Sequence, residues 1–260
     1  MTPTLQTWDS LLISETVTMK SRLVSVLNLG TMKYCSALTV QNNLVTRIHE
    51  SMRSGGESES VLVMVEHPPV YTTGVRTQEY SVEEEQRLRG LGADFVRTNR
   101  GGLITFHGPG QLVVYPILNL RDFAPESTSR KSLLGMKWYI NTLEQMVIDL
   151  IGEMGVRGSR SPHTGVWVGN NKICAMGVHN SNLVTSHGLA LNCDTDMSWF
   201  SHIVPCGIQG AGVTSLSQEL GTRVSVETVT PRLVSQFCQT FNCDAEHISL
   251  NSETSKSLLT

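Results

Sequence analysis

The sequence predicts a mixed α/β fold, and three observations carry that prediction. Apolar runs of strand length alternate along the chain with stretches whose apolar residues recur at helical spacing. A Gly-rich loop runs directly into an apolar strand over 100–120, and 165–178 reads as strand, turn, strand. At 260 residues and 40% hydrophobic, the chain suits one sizeable domain with small subdomains, and no internal repeat or interdomain linker interrupts it.

Taken in order, 23–29 reads as a strand ending before Gly30. Tyr34, Leu38, Gln41, Val45 and Ile48 then fall on one face of a helix. A loop over 55–60 leads into 61–65, a short apolar run of the kind found in buried strands. The charged stretch 81–89 reads as helix. Residues 111–120 read as a buried strand that Asn and charge bring to an end. Met136, Ile140, Leu143, Val147 and Leu150 repeat at helical spacing after Ser132 and place a long helix there, with Trp138 and the methionines as core. Val166-Trp-Val168 meets a Gly169-Asn-Asn171 turn, and Lys172 opens the returning strand. Thr230-Pro231 reads as an N-cap followed by proline at the first helical position, with Leu233, Val234, Phe237 and Phe241 on one face of a closing helix. From Asp244 onward the chain is rich in Ser and Thr and reads as disordered.

Two stretches suggest chemistry. In Arg100-Gly-Gly-Leu-Ile-Thr-Phe-His107, paired glycines let a backbone approach something closely, and His107-Gly-Pro-Gly110 sets an ionisable ring at a tight turn. Such clusters also occur in ordinary hairpins. The second stretch is Ser201-His-Ile-Val-Pro-Cys-Gly-Ile208. Most single cysteines are small core residues, but one between proline and glycine is poorly placed as packing filler. Pro205 argues against a helix that would bring His202 to Cys206, so that dyad is not expected. Lys172 reads most simply as a solvated edge residue. If it turns inward, its ammonium would lower the pKa of a nearby thiol.

Five ordered blocks resemble the octanoyltransferases of lipoate biosynthesis, the lipoyl(octanoyl) transferases. They are Glu66-His-Pro-Pro-Val-Tyr-Thr-Thr-Gly74, Arg100 through Leu112, Lys172-Ile-Cys-Ala-Met-Gly177, His187-Gly-Leu-Ala-Leu-Asn192 and Ile203-Val-Pro-Cys-Gly-Ile208. The resemblance runs from about residue 23 to 243. It implies a catalytic domain over 23–243, which leaves an N-terminal extension (1–22) that could carry targeting information and the tail over 244–260 that composition reads as disordered. The fold it implies is that of the biotin and lipoate protein ligases, a curved mixed sheet flanked by helices.

The same resemblance assigns roles. Cys206 matches the cysteine that takes the acyl group as a thioester, and Lys172 the lysine that lowers its pKa. Arg100, Gly101, Gly102, Leu103, Ile104, Thr105, Phe106 and His107, with Ala175, Met176 and Gly177, and Gly188, Leu189 and Ala190, match the segments lining the acyl pocket. Phe106 stands where many members have Tyr. Cys174 stands where Ala is common and puts a second thiol two residues from Lys172. The implied reaction takes octanoyl from an acyl carrier protein onto Cys206, then to a lysine of a lipoyl domain, such as those of the glycine cleavage H protein and the 2-oxoacid dehydrogenase E2 subunits. Backbone N–H groups near Gly177 and Cys206 would serve the oxyanion, and Lys172 would later help deprotonate the incoming amine. No cofactor is implied. One methylene more or less discriminates by only about 1–3 kcal/mol, so a closed end is required, and no motif names the side chains that form it.

Composition bounds the alternatives. A net charge of −3 gives no general attraction to nucleic acid, and no stretch approaches the roughly 20 apolar residues of a membrane span. Six irregularly spaced cysteines argue against zinc and against a disulfide scaffold. Docking of an acidic carrier would need a local basic patch, for which Arg87, Arg89, Arg97, Arg121, Arg130, Lys131 and Lys137 are candidates. Asp9 and Glu15 make residues 1–22 a poor transit peptide by composition. The resemblance nonetheless implies the mitochondrion for a eukaryotic source and the cytoplasm for a bacterial one. An ATP-dependent lipoate or biotin protein ligase of the same fold is the alternative activity, but it needs no nucleophilic cysteine. A non-catalytic carrier-binding protein would have no use for an activated thiol. An amidotransferase working between lipoyl domains would differ in its donor, a protein amide.

Overall fold

The computed structural model describes residues 22–56, 59–75, 80–124, 129, 136–204 and 210–249. Its main sheet has eight strands. β1 (Arg22–Thr31) and β2 (Ser60–Glu66) lie parallel, joined by the helix α1 (Tyr34–Ser54). Parallel neighbours need such a crossover. β2 pairs antiparallel with β6 (Gln111–Ile117), β6 with β9 (Val184–Asn192), and β9 with β8 (Asn171–Ser181). Beyond β8 come β7 (Val166–Val168) and the two-residue β10 (Gly212–Val213). A second sheet of three strands is formed by β3 (Val70–Thr73), β4 (Asp94–Arg97) and β5 (Thr105–His107), in the order β4-β3-β5.

Both faces of the main sheet are covered, which is why β2 and β6 are buried along almost their whole length. α1 covers one face through Ala37, Val40, Leu44 and Ile48, packed on Val61, Val63 and Val65. Leu38 and Val45, expected on the buried stripe, sit half-buried at its rim. The other face carries α4 (Lys137–Glu153) and α6 (Val226–Phe241), whose Tyr139, Leu143, Val147, Leu233, Phe237 and Phe241 close the larger core. Tyr139 is fully buried where Ile140 was expected, a shift of one position around the helix.

The small sheet has its own core of Tyr71, Leu88, Phe95, Ile104 and Phe106. Leu88 comes from α2 (Val82–Gly90), the helix expected over 81–89, with the Ser81 hydroxyl accepting from the Glu84 N–H. Glu83, Glu84 and Glu85 open that helix and Arg87 and Arg89 close it, in the sense the helix dipole favours. Between the sheets' strands lie α3 (Leu120–Phe123), capped by Asn119, a 3₁₀ turn (Met197–His202), and α5 (Leu216–Leu220). No helix among the described residues is long and apolar enough to cross a membrane.

Two expectations are corrected. The closing helix does not start at Thr230-Pro231: it starts at Val226, with Ser225 as N-cap accepting from the Thr228 N–H, and Pro231 lies inside it. Val229 already belongs to the buried stripe, so packing begins the helix a turn earlier. Pro231 is exposed, where water can serve the carbonyl that loses its donor. The chain after 243 is also not disordered from its start. Cys243–Ile248 form β11, which pairs in parallel with β1 from Arg22↔Cys243 to Leu27↔Ile248. The Ser/Thr-rich composition belongs to the residues beyond, while Cys243 and Ala245 pack on the main core. Residues 1–21 and 250–260 lie outside the described residues.

Replacing Ser225 by Ala removes the cap of α6 and is expected to cost about 1 kcal/mol. Chemical denaturation checks this, and an unchanged midpoint would mean the helix is held without its cap.

Candidate active site

The sheet forms a cleft because it is nearly bare at one place. Ala175 of β8 pairs with Ala190 of β9, and Gly177 with Gly188. These two cross-strand pairs, separated in the ladder by Met176↔Leu189, carry nothing larger than a methyl group. On the next strand the floor ends, because Ala190 pairs with Val113 of β6 and Tyr115 stands two residues further along. Met176 and Leu189 complete an apolar lining, and Tyr34, Arg100, Gly102, Thr105, His107 and His187 supply a polar one. The cleft has about 430 Å³ of empty space when the open solvent at its mouth is counted.

The 100–102 loop roofs the cleft, and missing side chains allow it. A Cβ on Gly177 would lie 2.7 Å from the Gly101 carbonyl oxygen, and one on Gly74 would lie 2.3 Å from that of Gly102. The loop is thus clamped between the end of β3 and the middle of β8. The Gly101 N–H donates to the Val178 carbonyl at 3.0 Å. Arg100, buried, donates through Nη2 to the carbonyl of Thr72 at 2.6 Å and to its hydroxyl at 2.9 Å, and through Nη1 to the Gly101 carbonyl at 3.0 Å.

Three histidines, His107 and His187 in the lining and His67 behind it, are held neutral by burial. His67 Nδ1 lies 2.7 Å from the Met32 carbonyl and Nε2 lies 2.8 Å from the Tyr115 hydroxyl. A neutral ring satisfies both in one way: Nδ1–H donates to the carbonyl, and Nε2 accepts from the phenol. His107 Nδ1–H likewise donates to Gln111 Oε1 at 2.7 Å, with the Thr72 hydroxyl 3.3 Å from Nε2. Gln111 is itself fixed by donating to the Phe106 carbonyl and to Asn192 Oδ1. His187 faces Asn99 Oδ1 at 2.8 Å and the Tyr34 hydroxyl at 3.4 Å. Desolvation pushes His67 down to about 4 and His187 down to about 3, the latter with help from the Arg100 charge. His107 falls well below its ordinary value for the same first reason, with His67 and Arg100 adding to it. Burial pushes the Tyr34 phenol up to about 12.

Lys172 is no solvated edge residue. Its strand has partners on both sides, and the side chain is only 6% exposed. Nζ donates to the Thr164 carbonyl at 3.0 Å and lies 4.8 Å from the Trp167 ring centroid. Lys172 does not line the cleft itself. It lies three residues before Ala175 on the same strand, and Val213 of β10 pairs with it. Cys206 lies outside the described residues, as do all of 205–209. Cys174 is fully buried in the main core, and burial pushes its thiol up, so it is no rival for reagents. Among the described cysteines the exposed one is Cys35.

Of the expected pocket residues, Arg100, Gly102, Thr105, His107, Ala175, Met176, Gly177, Gly188, Leu189 and Ala190 line the cleft. Gly101 serves from behind as the loop's anchor. Ile104 and Phe106 point into the core of the small sheet, where Phe106 stacks on Trp199 with centroids 5.0 Å apart, and Leu103 is half-buried outside the lining. Strand alternation explains this, since Thr105 and His107 face one way and Phe106 the other. Sequence reasoning missed Tyr34, Val113, Tyr115 and His187 as lining and His67 as support. Hydrogen-bonding side chains within otherwise apolar buried segments were the available signal. Of the basic-patch candidates, Arg87 pairs with Glu84, and Arg89 and Arg97 both pair with Glu85, while Arg130 and Lys131 lie outside the described residues.

Comparison with known proteins agrees with this geometry. The model of the lipoyl protein ligase A/B catalytic domain matches residues 33–238. The chain belongs to the lipoyl protein ligase A/B catalytic domain family. It is 54% identical over 220 residues to the mitochondrial octanoyl-[acyl-carrier-protein]:protein N-octanoyltransferase of Danio rerio, covering 85% of this chain and 93% of that one. The corresponding Homo sapiens protein is 41% identical, with 86% and 96% covered. An octanoyltransferase of Rubrobacter xylanophilus is 43% identical, with 80% and 89% covered. Among solved structures, a lipoate-protein ligase A bound with ATP superposes with a TM-score of 0.65 at 18% identity, covering 93% of each chain. The bipartite lipoate protein ligase of Thermoplasma acidophilum gives 0.66 at 17%, covering 92% and 91%. That likeness establishes the lipoate ligase fold expected from the sequence.

The neutral histidines couple the stability of this family member to pH. Unfolded histidines bind protons below about 6.5, while His67 resists until about 4. Between those values the unfolded state binds more protons, so stability falls as pH falls. The loss is expected to reach about 3 kcal/mol for His67 by pH 4. Urea midpoints measured between pH 7 and 4.5 check this, and a flat profile would contradict a neutral buried ring.

Proposed function

We infer that this protein is an acyltransferase that takes octanoyl from octanoyl-acyl carrier protein and delivers it to a lysine of a lipoyl domain, with Cys206 as the nucleophile and Lys172 as the group that activates it. The observation that carries this reading is the apolar cleft over Ala175, Gly177, Gly188 and Ala190, opened on the strand that also carries the buried Lys172. A thin aliphatic chain fits a floor of methyl groups and bare backbone, and each buried methylene contributes about 0.8 kcal/mol. The relatives from Danio rerio and Homo sapiens, at 54% and 41% identity, are octanoyltransferases, whereas the ATP-bound ligase shares the fold at 18%. Activity by the transferase route is therefore favoured over ATP-dependent ligation.

In the first half-reaction the Cys206 thiolate attacks the thioester carbonyl, the C–S bond to the carrier breaks, and the carrier thiol leaves with a proton. Thioester exchanges for thioester at little cost, so no ATP is consumed. In the second, the neutral amine of the acceptor lysine attacks the acyl-enzyme, forms the amide and returns the Cys206 thiol. Lys172 supports the first step. The Thr164 carbonyl and the Trp167 ring both contact its ammonium, and a cation beside a thiol favours the thiolate. The chain from Cys206 also re-enters the described structure next to Lys172. Asn170 donates to the Gly210 carbonyl at 2.8 Å, and Thr214 N–H donates to the Lys172 carbonyl at 3.1 Å. In a eukaryotic source the protein works in the mitochondrion, and in a bacterial one in the cytoplasm.

Mixing the protein with octanoyl-acyl carrier protein, without ATP, should give a single octanoyl adduct on Cys206 by intact mass and peptide mapping, and a lipoyl domain should discharge it. Acceptor modification that requires octanoate and ATP would overturn the assignment. Cys206→Ala should abolish transfer. Lys172→Ala should move the pH profile of acylation to higher pH, and an unchanged profile would reject its role.

A further inference from the structure

We propose that Tyr115, Tyr34 and Val113 form the end wall that measures the acyl chain, and that His67 is the buttress that keeps this wall from yielding. The proposal rests on acyl transfer in this cleft and names what sets its chain length. The reacting end belongs near β8, the strand of Lys172, and the floor runs from Ala175 and Gly177 across β9 to Ala190 and Gly188. On β6 the surface rises, with Val113 opposite Ala190 and Tyr115 beyond it. Two interstrand spacings separate β8 from β6, about 9.5 Å. An extended chain advances roughly 1.2 Å per bond, a third of the backbone rise per residue, so the seven C–C bonds of an octanoyl group span about 8 Å. The distance from bare floor to wall matches that length.

The wall's rigidity comes from hydrogen bonds rather than bulk. The Tyr115 hydroxyl donates to His67 Nε2 at 2.8 Å, and His67 Nδ1–H is anchored on the Met32 carbonyl at 2.7 Å. The Tyr34 hydroxyl lies 3.4 Å from His187 Nδ1, and the Tyr34 ring stacks on His107 with centroids 5.8 Å apart. Tyr34, Tyr115 and His67 are all buried. A longer chain could displace an aliphatic wall by repacking. To displace Tyr115 it would have to leave the buried His67 nitrogen without its donor, which adds a desolvation penalty to the steric one. This is how a hydrocarbon pocket gains selectivity beyond the weak discrimination of a single methylene.

The test measures transfer to a lipoyl domain from acyl carrier proteins loaded with chains of 6 to 14 carbons, for wild type, Tyr115→Ala, Val113→Ala and Tyr115→Phe, with folding checked by circular dichroism. Tyr115→Ala is expected to raise the dodecanoyl-to-octanoyl ratio of kcat/KM by about tenfold or more. Val113→Ala should raise it less. Tyr115→Phe keeps the ring and removes the bond to His67, so its ratio should also rise, which a purely steric wall would not produce. Ratios unchanged from wild type in the folded variants overturn the proposal, and if Tyr115→Ala does not fold, Val113→Ala and Tyr115→Phe decide it alone. A wild-type protein that transfers no octanoyl would instead overturn the transferase reading itself.

Discussion

The buried Arg100 guanidinium is the joint on which the site depends. It donates to the carbonyl and hydroxyl of Thr72 in the small sheet, while the neighbouring Gly101 N–H donates to Val178 in the main sheet. One residue and its neighbour thus hold two sheets in register across the cleft. Removing the guanidinium would leave the Thr72 carbonyl without that donor and free the roof of the cleft, a loss of both hydrogen bonding and shape. Its charge also acts at a distance, adding to the desolvation that keeps His107 and His187 neutral.

Around that joint the molecule combines an underpacked floor with a polar surround whose histidines each hold partners at both ring nitrogens. Ala175, Ala190, Gly177 and Gly188 give up the side-chain burial that other positions of β8 and β9 contribute, and the opposite face of the same strands compensates. There Cys174 and Leu191 pack under α4 and α6. The same two strands therefore serve as core on one face and as binding surface on the other, as alternation allows. His67, His107 and His187 each accept their buried positions by adopting the neutral form with a tautomer dictated by their partners. A cleft with such a rim can exclude water from an aliphatic chain without leaving unpaired dipoles behind it.

Lys172 illustrates a different solution to burying a charge. Its ammonium has a carbonyl and an aromatic face as neighbours, and the loop that presents the carbonyl is itself held by Glu144, which accepts from the Gly165 N–H at 2.9 Å and pairs with Arg160 at 3.3 Å. Gly165 is required in that loop, since its φ is positive and a Cβ there would lie 2.5 Å from the Cys174 carbonyl oxygen. The carbonyl and ring contacts fix the position of the ammonium, which suits a residue whose proposed work is to favour a thiolate.

The sequence by itself determined the α/β class, most helices and strands, the hairpin that carries Lys172, and ten of the residues that line the cleft. These are local properties: hydrophobic period, turn chemistry and ordered motifs are written in neighbouring residues. What it misread depended on contacts between distant segments. Pro231 reads as a helix start until Val229 is seen packed in the core, and residues 243–248 read as tail until β1 supplies their hydrogen bonds. Lys172 reads as an edge residue because β10, which pairs with it beside the hairpin partner β7, comes from elsewhere in the chain. Tyr34, His67, Tyr115 and His187 meet only when α1, the end of β2, β6 and β9 come together. Only the tertiary structure decided that wall, because the partners that make each polar group affordable in the interior lie tens of residues away.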